Sequence, residues 1–479
     1  MLTLFVLVPL LVLLLLNMPW RALPRPLPLF VVLVLAFSNV VFGLALPSLP
    51  IHAEIPVLSE LHFGLVADDL SRVFLVSIGL VICAAALVNQ ESKPTESAHR
   101  NFCSLLLVGL TGMNGVVLLS DFFTLYVFLE VTAIASFILI AFGRNIFAVE
   151  GAFRYLLLSA VAAMFMLSGV GLLLFTAGDT TFAAVRTALT GGSAALPLVK
   201  LAVGIYIVGL FIKGGLVPFH GWLPGAYSSA PPGVSILLAG IVTKVSGIYA
   251  LIRIARDVMV PDAGLSTVLL VAGSVSIVIG AIAAIGQSDL KRMLAYSSIS
   301  QVGYIVIALG AGTELGIVAA TFHLFNHAIF KSLLFVDSAS VEASLGTTDM
   351  GKMGGVGVKM PWTGTTTGIA MLSAAGIPPF SGFWSKLLIV LALWKGGHER
   401  YAALAVVASI LTLGYFMVMQ HRAFFGKPSP NVASAKESSP GYMVPAVVFA
   451  LITVLIGVFF PLLQDSPLSF LLLNRGPSW

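Results

Sequence analysis

The chain has 479 residues, of which 58% are hydrophobic and 9% are charged, and its mean hydropathy is +1.05. This composition excludes a soluble globular protein, because such a protein needs far more polar surface. The formal net charge of +5 is spread over many short loops, which indicates membrane orientation and no nucleic-acid partner. Cys83 and Cys103 are too few for an iron–sulfur cluster and lack metal-ligand spacing, so we interpret them as packing residues.

Apolar runs of about 20 residues, long enough to cross a lipid bilayer as a helix, recur along the whole chain. We count about 14 of them, which predicts an all-α polytopic membrane protein. The first run, 2–18, has a signal peptide as its alternative, but it lacks a basic start and the chain behind it is equally apolar. The runs 315–345 and 361–396 are too long for one simple span, so tilt, a break or a surface extension must absorb the excess.

Glu130 is the first ionisable residue at membrane depth, within the apolar segment 122–142. A charge at mid-bilayer is costly unless it is paired or hydrated, so such residues are functional candidates. Alone, this carboxyl group would hold a proton, whereas a nearby ammonium group would favour its ionised form. The alternative is a structural ion pair or a neutral, hydrogen-bonded acid.

A helix break follows at 213–224, where Pro218 stands among several glycines. Proline blocks the helix and glycine relaxes the backbone limits, and such breaks are tolerated in a bilayer only inside protein or beside water. Lys213 precedes the break, and Lys244 lies in the next apolar helix, 233–255. Burial favours the neutral form of a lysine, which a proton relay requires. Structural lysines that reach for the interface are the alternative.

His323, His327 and Lys331 are four residues apart, which places them on one face of a helix. Histidine takes up and releases a proton near neutral pH, so this face is a second relay candidate. The two histidines could bind zinc, but no third ligand has metal spacing and the lysine would repel a cation, so we expect no metal site. Asp337 and Glu342 follow on the same helix, and we interpret them as interfacial residues.

A second break contains Pro378 and Pro379, and Lys386 follows it. Each break therefore carries a lysine within about two helical turns. Two matched interrupted helices in two halves of a transporter indicate inverted repeats that meet at the ion site. Two proline kinks without symmetry are the alternative. Lys386 ends the series of buried bases, which predicts the exit of a relay; a lysine snorkelling from a helix end is its alternative.

We predict four sections of the chain, with one break inside each of the two repeats. These are helices 1–3 (1–101), a first inverted repeat of helices 4–8 (102–255), a second of helices 9–13 (264–424), and helix 14 with the tail (425–479). When the loops between the predicted helices are numbered from the N-terminus, the odd-numbered loops carry about 13 basic residues, and the even-numbered loops and the C-terminal tail carry about 8. Basic residues are enriched in cytoplasmic loops, so this bias predicts that the odd-numbered loops are cytoplasmic. We therefore expect a multi-pass protein of the cell inner (plasma) membrane with both termini outside. No nucleotide, haem or redox motif is present, so we expect no cofactor in this chain.

These motifs together resemble the antiporter-like family shared by respiratory complex I, Mrp-type sodium/proton antiporters and membrane-bound hydrogenases. The match covers about residues 70–425, and the segments that carry it are 128–130, 212–224, 230–235, 243–245, 289–304, 323–331 and 375–386. The resemblance implies 14 helices, two inverted five-helix repeats, broken seventh and twelfth helices, and a polar axis parallel to the membrane plane.

The resemblance also implies roles for single residues. Glu130 matches the family's essential glutamate of the fifth helix, and Lys213 matches its paired lysine of the seventh. Lys244 matches the connecting lysine of the eighth helix. His327 and Lys331 match the relay of the eleventh helix, and Lys386 matches the terminal residue of the twelfth.

We therefore expect a proton-translocating subunit of a multi-subunit, redox-driven membrane complex of the complex I or hydrogenase type. Its partners would be other membrane subunits, including homologous antiporter-like subunits, and a redox module. A proton would enter near Lys244 or the histidines, the Glu130–Lys213 pair would act as the switch, and Lys386 would be the exit. The alternatives are the large subunit of an Mrp-type Na+/H+ antiporter with its ion-exchange module, and a structural scaffold with inactive channels. The sequence leaves open whether the ion is H+ or Na+, and it assigns no enzymatic activity to the chain alone.

Overall fold

The computed structural model describes residues 2–18, 24–46, 50–54, 64–191, 196–259, 261–463, 466 and 468–473. Helices make up most of this described part, and one antiparallel hairpin pairs β1 (Ile51–Glu54) with β2 (Gly64–Ala67). Twelve described helices are long and apolar enough to cross a membrane, and a shorter apolar helix spans Leu4–Leu16. One further segment consists of two shorter helices in sequence, so that, with the short helix Leu4–Leu16 included, the described helices correspond to the 14 apolar segments expected from hydropathy.

The helices, labelled in chain order, are α1 (Leu4–Leu16), α2 (Leu27–Ala45), α3 (Asp69–Glu91), α4 (Glu96–Leu118), α5 (Phe122–Ala141), α6 (Ile146–Ala177), α7 (Phe182–Thr190), α8 (Leu196–Gly214), α9 (Leu223–Ser229), α10 (Pro232–Asp257), α11 (Ala263–Ile285), α12 (Leu290–Gly310), α13 (Glu314–Leu345), α14 (Pro361–Ala375), α15 (Ser381–Lys395), α16 (Glu399–Met419) and α17 (Pro440–Val458). The pair α8–α9 forms the broken seventh span, and the pair α14–α15 forms the broken twelfth. The fold class and both predicted breaks are therefore confirmed.

The spans α4–α10 and α11–α16 have the same order of elements. Each set contains two spans, then a helix of 32 residues, then the broken span, then a fifth span. The two 32-residue helices, α6 and α13, both end at a glycine in the left-handed conformation, Gly178 and Gly346. Because each set has an odd number of spans, the second set crosses the membrane in the direction opposite to the first.

A matched pair of polar contacts marks the same place in each set. Asp121 caps α5 and accepts a hydrogen bond from the Thr180 hydroxyl at 2.5 Å, and Asp289 caps α12 and accepts one from Thr348. The two residues of each contact are 59 positions apart in both sets. The repetition supports two inverted five-helix repeats. The boundaries at 101, 102–255, 264–424 and 425–479 stay a prediction, and residues 464–465, 467 and 474–479 of the last section lie outside the described residues.

Three local features differ from the sequence-based expectation. Helix α7 was not expected, because a nine-residue helix is far shorter than the window that detects a span. Helix α1 has 13 residues where 17 were expected, fewer than the about 20 that cross a bilayer. Within α10 the backbone has wider π-helical turns at Leu238–Val242 and Lys244–Tyr249, which hydropathy cannot reveal.

Asp68, just before α3, joins that helix to the end of α10. Its carboxylate accepts hydrogen bonds from Arg253 at 2.6 and 3.1 Å and from Arg256 at 2.9 Å, and it caps α3 through the backbone N–H of Ser71. Burial alone would raise the pKa of Asp68, but the two arginines and the cap outweigh it and hold that pKa well below its usual range.

We expect the stability that Asp68 contributes to be lost on acidification. A carboxyl whose pKa is lowered by folding stabilises the fold above its unfolded pKa of about 4, and this stabilisation fades as the pH falls further. Thermal unfolding of the purified protein in detergent, measured from about pH 7 to about pH 3, should show a steeper fall for the wild type than for Asp68→Asn. Parallel curves for the two proteins would contradict this account of the contact.

Candidate functional site

Glu130 and Lys213 form a direct ion pair between α5 and the end of α8. The Lys213 Nζ donates to Glu130 Oε1 at 2.7 Å and to Ser159 Oγ of α6 at 3.0 Å. The Lys213 side chain is only 3% exposed, whereas the Glu130 side chain is 27% exposed. The lysine is therefore sealed inside the helices, and its partner reaches the outer surface of this chain.

The break after Lys213 leaves backbone groups free, and nearby side chains satisfy them. The carbonyl of Ile212 accepts a hydrogen bond from the Trp222 indole at 3.2 Å, and the N–H of Val217 donates to Ser276 Oγ of α11 at 3.1 Å. Gly215 has a φ of +68°, which allows the sharp turn at this point. Non-helical backbone at membrane depth is stable only when it is enclosed in this way.

Lys244 is fully buried in the π-helical part of α10. Its ammonium donates to the carbonyl of Ala239 and to Thr243 Oγ1, the latter at 3.1 Å. The Tyr227 hydroxyl lies 2.8 Å from Thr243 Oγ1, and the Lys244 Nζ lies 5.9 Å from the centre of the Tyr227 ring. No carboxylate is within ion-pair distance of Lys244 in the described part of the chain. Hydroxyls and carbonyls are thus the partners of this lysine.

His327 and Lys331 lie on one face of α13, as the four-residue spacing predicts, and α13 is buried on all sides at this point. The Lys331 Nζ donates to the Leu294 carbonyl at 3.0 Å and to the Ser297 hydroxyl, both on α12. Both ring nitrogens of His327 are buried without a protein partner, and Lys244 and Lys331 are close enough to act on His327 electrostatically. Buried polar atoms need hydrogen-bond partners, and water is the natural one here.

His323 and Lys386 meet at the second break. The Nδ1 of His323 and the hydroxyl of Ser385 are 2.9 Å apart, and Ser385 is the residue before Lys386. The Lys386 Nζ donates to the carbonyl of Ala375 at 3.3 Å and lies 4.5 Å from the centre of the Tyr304 ring. Lys386 is 6% exposed, so it does not snorkel from a helix end.

The second break encloses its free backbone groups as the first does. The N–H of Gly382 donates to Ser373 Oγ at 3.1 Å, and the Asn326 amide donates to the Ser381 carbonyl at 3.4 Å. The peptide bonds before Pro218 and before Pro379 are both cis.

Gly382 tolerates no side chain, because a Cβ there would lie 1.9 Å from the Ser373 carbonyl oxygen. We expect Gly382→Ala to lower the free energy of unfolding by about 1–3 kcal/mol, the usual range for overpacking. The measurement is the thermal unfolding midpoint of the purified protein. Gly414→Ala in α16 is the control: a Cβ at that position meets no atom within 4 Å, so its midpoint should not fall. Equal midpoints for both variants would contradict this.

The structure therefore brings the sequence-predicted residues into three groups. The first is Glu130 with Lys213, the second is Lys244 with His327 and Lys331, and the third is His323 with Lys386. Between the first two groups, α8 and α10 touch through Gly214 and Gly247. Within the described residues no side-chain hydrogen bond joins Lys213 directly to Lys244.

Sequence reasoning missed the hydroxyl groups that lie beside these ionisable residues. They are Ser159 at the ion pair, Tyr227 and Thr243 at Lys244, Ser297 at Lys331, and Ser385 at His323. Serine and threonine occur throughout transmembrane helices as packing residues, so no sequence signal singles these out.

The interpretation of Asp337 as interfacial was wrong. Its residue is 1% exposed, and its two carboxylate oxygens accept hydrogen bonds from Thr366 and Thr367 of α14. Helices α14 and α17 pack over this end of α13, and their contact with α13 could not be predicted from the α13 sequence. Glu342, five residues further on, is partly exposed, as expected.

A charged cavity of about 910 Å³ opens between the two repeats, at the end of the molecule where α6 begins and α13 ends. In its wall, the Lys291 Nζ lies 2.5 Å from Glu342 Oε2. Glu150 and Arg154 also line it and form their own ion pair at 2.5 Å. The cavity gives water access to the seam between the repeats.

Comparisons with known proteins agree with this arrangement. Residues 120–412 match the family model described as NADH:quinone oxidoreductase/Mrp antiporter, TM. The chain is 37% identical over 416 residues to the N subunit of the NADH-quinone oxidoreductase of Desulforudis audaxviator, covering 82% of each chain. It is 33% identical over 398 residues to a subunit of the Na(+)/H(+) antiporter of Alkalihalophilus pseudofirmus, covering 82% of this chain and 80% of that protein.

A solved structure extends the likeness to the whole fold. A chain in the structure of the Mrp complex from Dietzia sp. DQ12-45-1b superposes with a TM-score of 0.89 at 26% identity, covering 100% of this chain and 97% of that one. By their names, both relatives and this structure are parts of multi-subunit assemblies. The chain therefore belongs to the NADH:quinone oxidoreductase/Mrp antiporter family of multi-pass membrane subunits.

Proposed function

We propose that the chain is the proton-translocating subunit of a multi-subunit, redox-driven membrane complex. The observation that carries this proposal is the sealed Lys213, paired with Glu130 and followed by buried bases that have no acidic partner among the described residues. An isolated charge at membrane depth is expensive, and a series of them without counter-charges has no structural benefit. A series of bases that exchange protons accounts for it.

The mechanism is an electrostatic switch at the ion pair. While Glu130 is ionised, it stabilises the ammonium form of Lys213 at 2.7 Å. When a charge change outside the chain draws Glu130 away or neutralises it, the ammonium loses its counter-charge and releases its proton. Two unit charges 4 Å apart interact by about 4 kcal/mol at an effective dielectric constant of 20, enough to shift a protonation equilibrium by orders of magnitude.

The charge of the proton released from Lys213 then acts on the second group and, after it, on the third group. A proton on Lys244 disfavours a proton on His327 and Lys331, because like charges at short range repel. Each group holds hydroxyls beside its base, and a hydroxyl can accept one proton while donating another. We propose that Lys386 is the last base in this order and that the proton leaves from there.

We propose that this chain holds no cofactor. The energy for proton translocation therefore comes from partner subunits. Glu130 is the member of the relay with a partly exposed side chain, at 27%. A neighbouring membrane subunit that contacts α5 could therefore change its charge directly. We propose homologous antiporter-like subunits and a redox module as these partners, in the inner (plasma) membrane, with both termini on the outer side.

A second candidate is the large subunit of an Mrp-type Na+/H+ antiporter. The TM-score of 0.89 against a chain of an Mrp complex favours it, whereas the 37% identity to a quinone oxidoreductase subunit favours the redox-driven complex. In the antiporter, an imposed ion gradient replaces redox energy, and the same relay moves protons against Na+.

Purification of the tagged chain from its native membranes in mild detergent tests the choice. We expect redox subunits to co-purify, and we expect the complex in proteoliposomes to acidify or alkalinise the lumen when an electron donor and acceptor are added. A complex without redox subunits that moves protons only when a Na+ gradient is imposed would support the antiporter instead. A complex that moves protons under neither condition would contradict both and leave a structural scaffold.

A further inference from the structure

Asp337 is a buried acid that the relay described above does not use. Its Oδ1 accepts a hydrogen bond from Thr366 at 3.0 Å, and its Oδ2 accepts one from Thr367 at 2.9 Å. No lysine, arginine or histidine is within ion-pair distance of it among the described residues. A buried carboxylate with hydroxyl partners alone is costly as an anion, so this group is suited to hold a proton.

Polar groups connect Asp337 to the surface at the start of α17. The Thr363 hydroxyl donates to Glu437 Oε1 at 2.7 Å, and Ser340 Oγ lies 3.2 Å from the Thr363 hydroxyl. Glu437 is partly exposed. A cleft of about 10 Å³, room for about one water molecule, separates the two acids. Asp337, Thr366, Thr363 and Glu437 all line it.

On the inner side, Lys331 is the nearest relay residue to Asp337 along α13, on a different face of that helix. The two residues are six positions apart on α13, about 9 Å along the helix. The Lys331 Nζ lies 5.8 Å from the centre of the Phe416 ring, and Gln420 follows Phe416 by one turn.

Gln420 contacts the neighbourhood of Thr367, the second hydroxyl partner of Asp337. Its amide nitrogen lies beside Gly368, the residue after Thr367, where an added Cβ would be 3.7 Å away. Its amide oxygen is buried without a protein partner. An unpartnered polar atom one turn from Phe416, which lies beside Lys331, and next to Gly368, which follows Thr367, can hold a water molecule that relays a proton.

We propose that Asp337 is a proton-loading residue on a second access route, which runs from Glu437 at the surface to Lys331 in the relay. The inference rests on the proposed function and adds a route to it. A hydronium ion in the cleft gives its proton to the Asp337 carboxylate and leaves as water. The neutral acid then gives that proton, through water held at Gln420, to the neutral amine of Lys331, which becomes an ammonium while Asp337 becomes a carboxylate again.

The geometry favours a proton over a sodium ion. The Thr366 and Thr367 hydroxyls each occupy one position beside a carboxylate oxygen of Asp337, and the Thr366 hydroxyl is also within hydrogen-bond distance of the Trp362 and Thr363 carbonyls. Sodium also needs several oxygen ligands around one point, whereas the cleft holds about one water molecule.

The test uses the complete membrane complex in proteoliposomes, with proton uptake followed by a pH-sensitive dye. We expect Asp337→Asn to slow proton translocation by about tenfold or more, and Asp337→Glu, which keeps the acid, to restore most of it. Thr367→Val should give an intermediate loss. Thr321→Val is the matched control, because this buried hydroxyl on the same helix as Asp337 bonds, within the described part of the chain, only to the Ile317 carbonyl. Difference infrared spectra should contain a carboxylic acid C=O band that disappears in Asp337→Asn.

Each of these measurements either supports or overturns the route through Asp337. Proton translocation at the wild-type rate in Asp337→Asn overturns the route, and so does an infrared band that stays. A band that vanishes when Na+ is added indicates a sodium site and also overturns it. If Asp337→Asn does not assemble, Thr367→Val decides, and a rate equal to that of Thr321→Val overturns the route. Lys213→Ala tests the proposed function separately: its loss of translocation alongside an unaffected Asp337→Asn rejects this route alone.

Discussion

Replacing Lys213 with alanine should reduce proton translocation by the membrane complex by at least about a hundredfold. The change removes the base that the switch acts on, and it leaves Glu130 without its only ion-pair partner among the described residues. Assembly should persist, because the neighbouring hydroxyl of Ser159 remains as a hydrogen-bond donor to water in the vacated volume. The measurement is the initial rate of the pH change in proteoliposomes, normalised to the amount of assembled complex.

Lys200→Ala is the matched control for this prediction. Lys200 is on the same helix, α8, but its side chain is 48% exposed, and its ion pair with Asp262 at 2.9 Å lies at the surface. Such exposed pairs contribute at most about 1 kcal/mol to stability. Lys200→Ala should therefore translocate protons at the wild-type rate, and equal rates for the two alanine variants would contradict the role of Lys213.

Replacing Lys331 with methionine should have an effect of similar size, at least about a hundredfold. Methionine keeps the length and the apolar stem of lysine but cannot carry a proton, so the connection between Lys244 and the third group is interrupted. The Glu130–Lys213 pair stays intact in this variant, which separates loss of the switch from loss of the connection. Translocation is measured as for Lys213→Ala.

Lys352→Met is the control for the effect of replacing any lysine with methionine. The Lys352 side chain is 60% exposed, and its Nζ lies 3.9 Å from Asp349 Oδ2 in the segment between α13 and α14. This variant should translocate protons normally. A Lys331→Met complex that works as fast as Lys352→Met would show that protons bypass α13.

The fold could be predicted from the sequence because membrane insertion leaves a strong signal. Apolar runs locate the spans, and Pro218, Pro378 and Pro379, which stand beside glycines within apolar runs, locate the two breaks, since proline removes a backbone donor and glycine relaxes the backbone limits. The short α7 and the π-helical turns around Lys244 could not be predicted. One is too short for a hydropathy signal, and the other depends on how α10 packs against its neighbours.

The candidate site could be predicted only in its charged members. Ionisable residues in apolar helices are rare, so Glu130, Lys213 and Lys386 are conspicuous in the sequence. Their roles stay predictions, although Glu130 and Lys213 are in contact. The hydroxyl partners could not be found, because Ser159 or Ser385 resembles any other serine of a transmembrane helix.

The burial of Asp337 could not be predicted from the sequence of its own helix. Its position near the end of α13 indicates an interface, but the hydroxyls of Thr366 and Thr367 arrive from α14, which follows in the chain after a loop and packs over it. Burial at a helix end is decided by the neighbouring helices, and the sequence of α13 contains no information about them.

Glu130→Gln gives the most direct test of the electrostatic switch. Glutamine has nearly the same shape as glutamate and can still accept a hydrogen bond from Lys213, but it has no charge to gain or lose. Proton translocation by the complex carrying this variant is measured in proteoliposomes at equal complex content. We predict that it falls by at least about a hundredfold while the complex stays assembled. Translocation at the wild-type rate would contradict the claim that the charge of Glu130 controls the proton on Lys213.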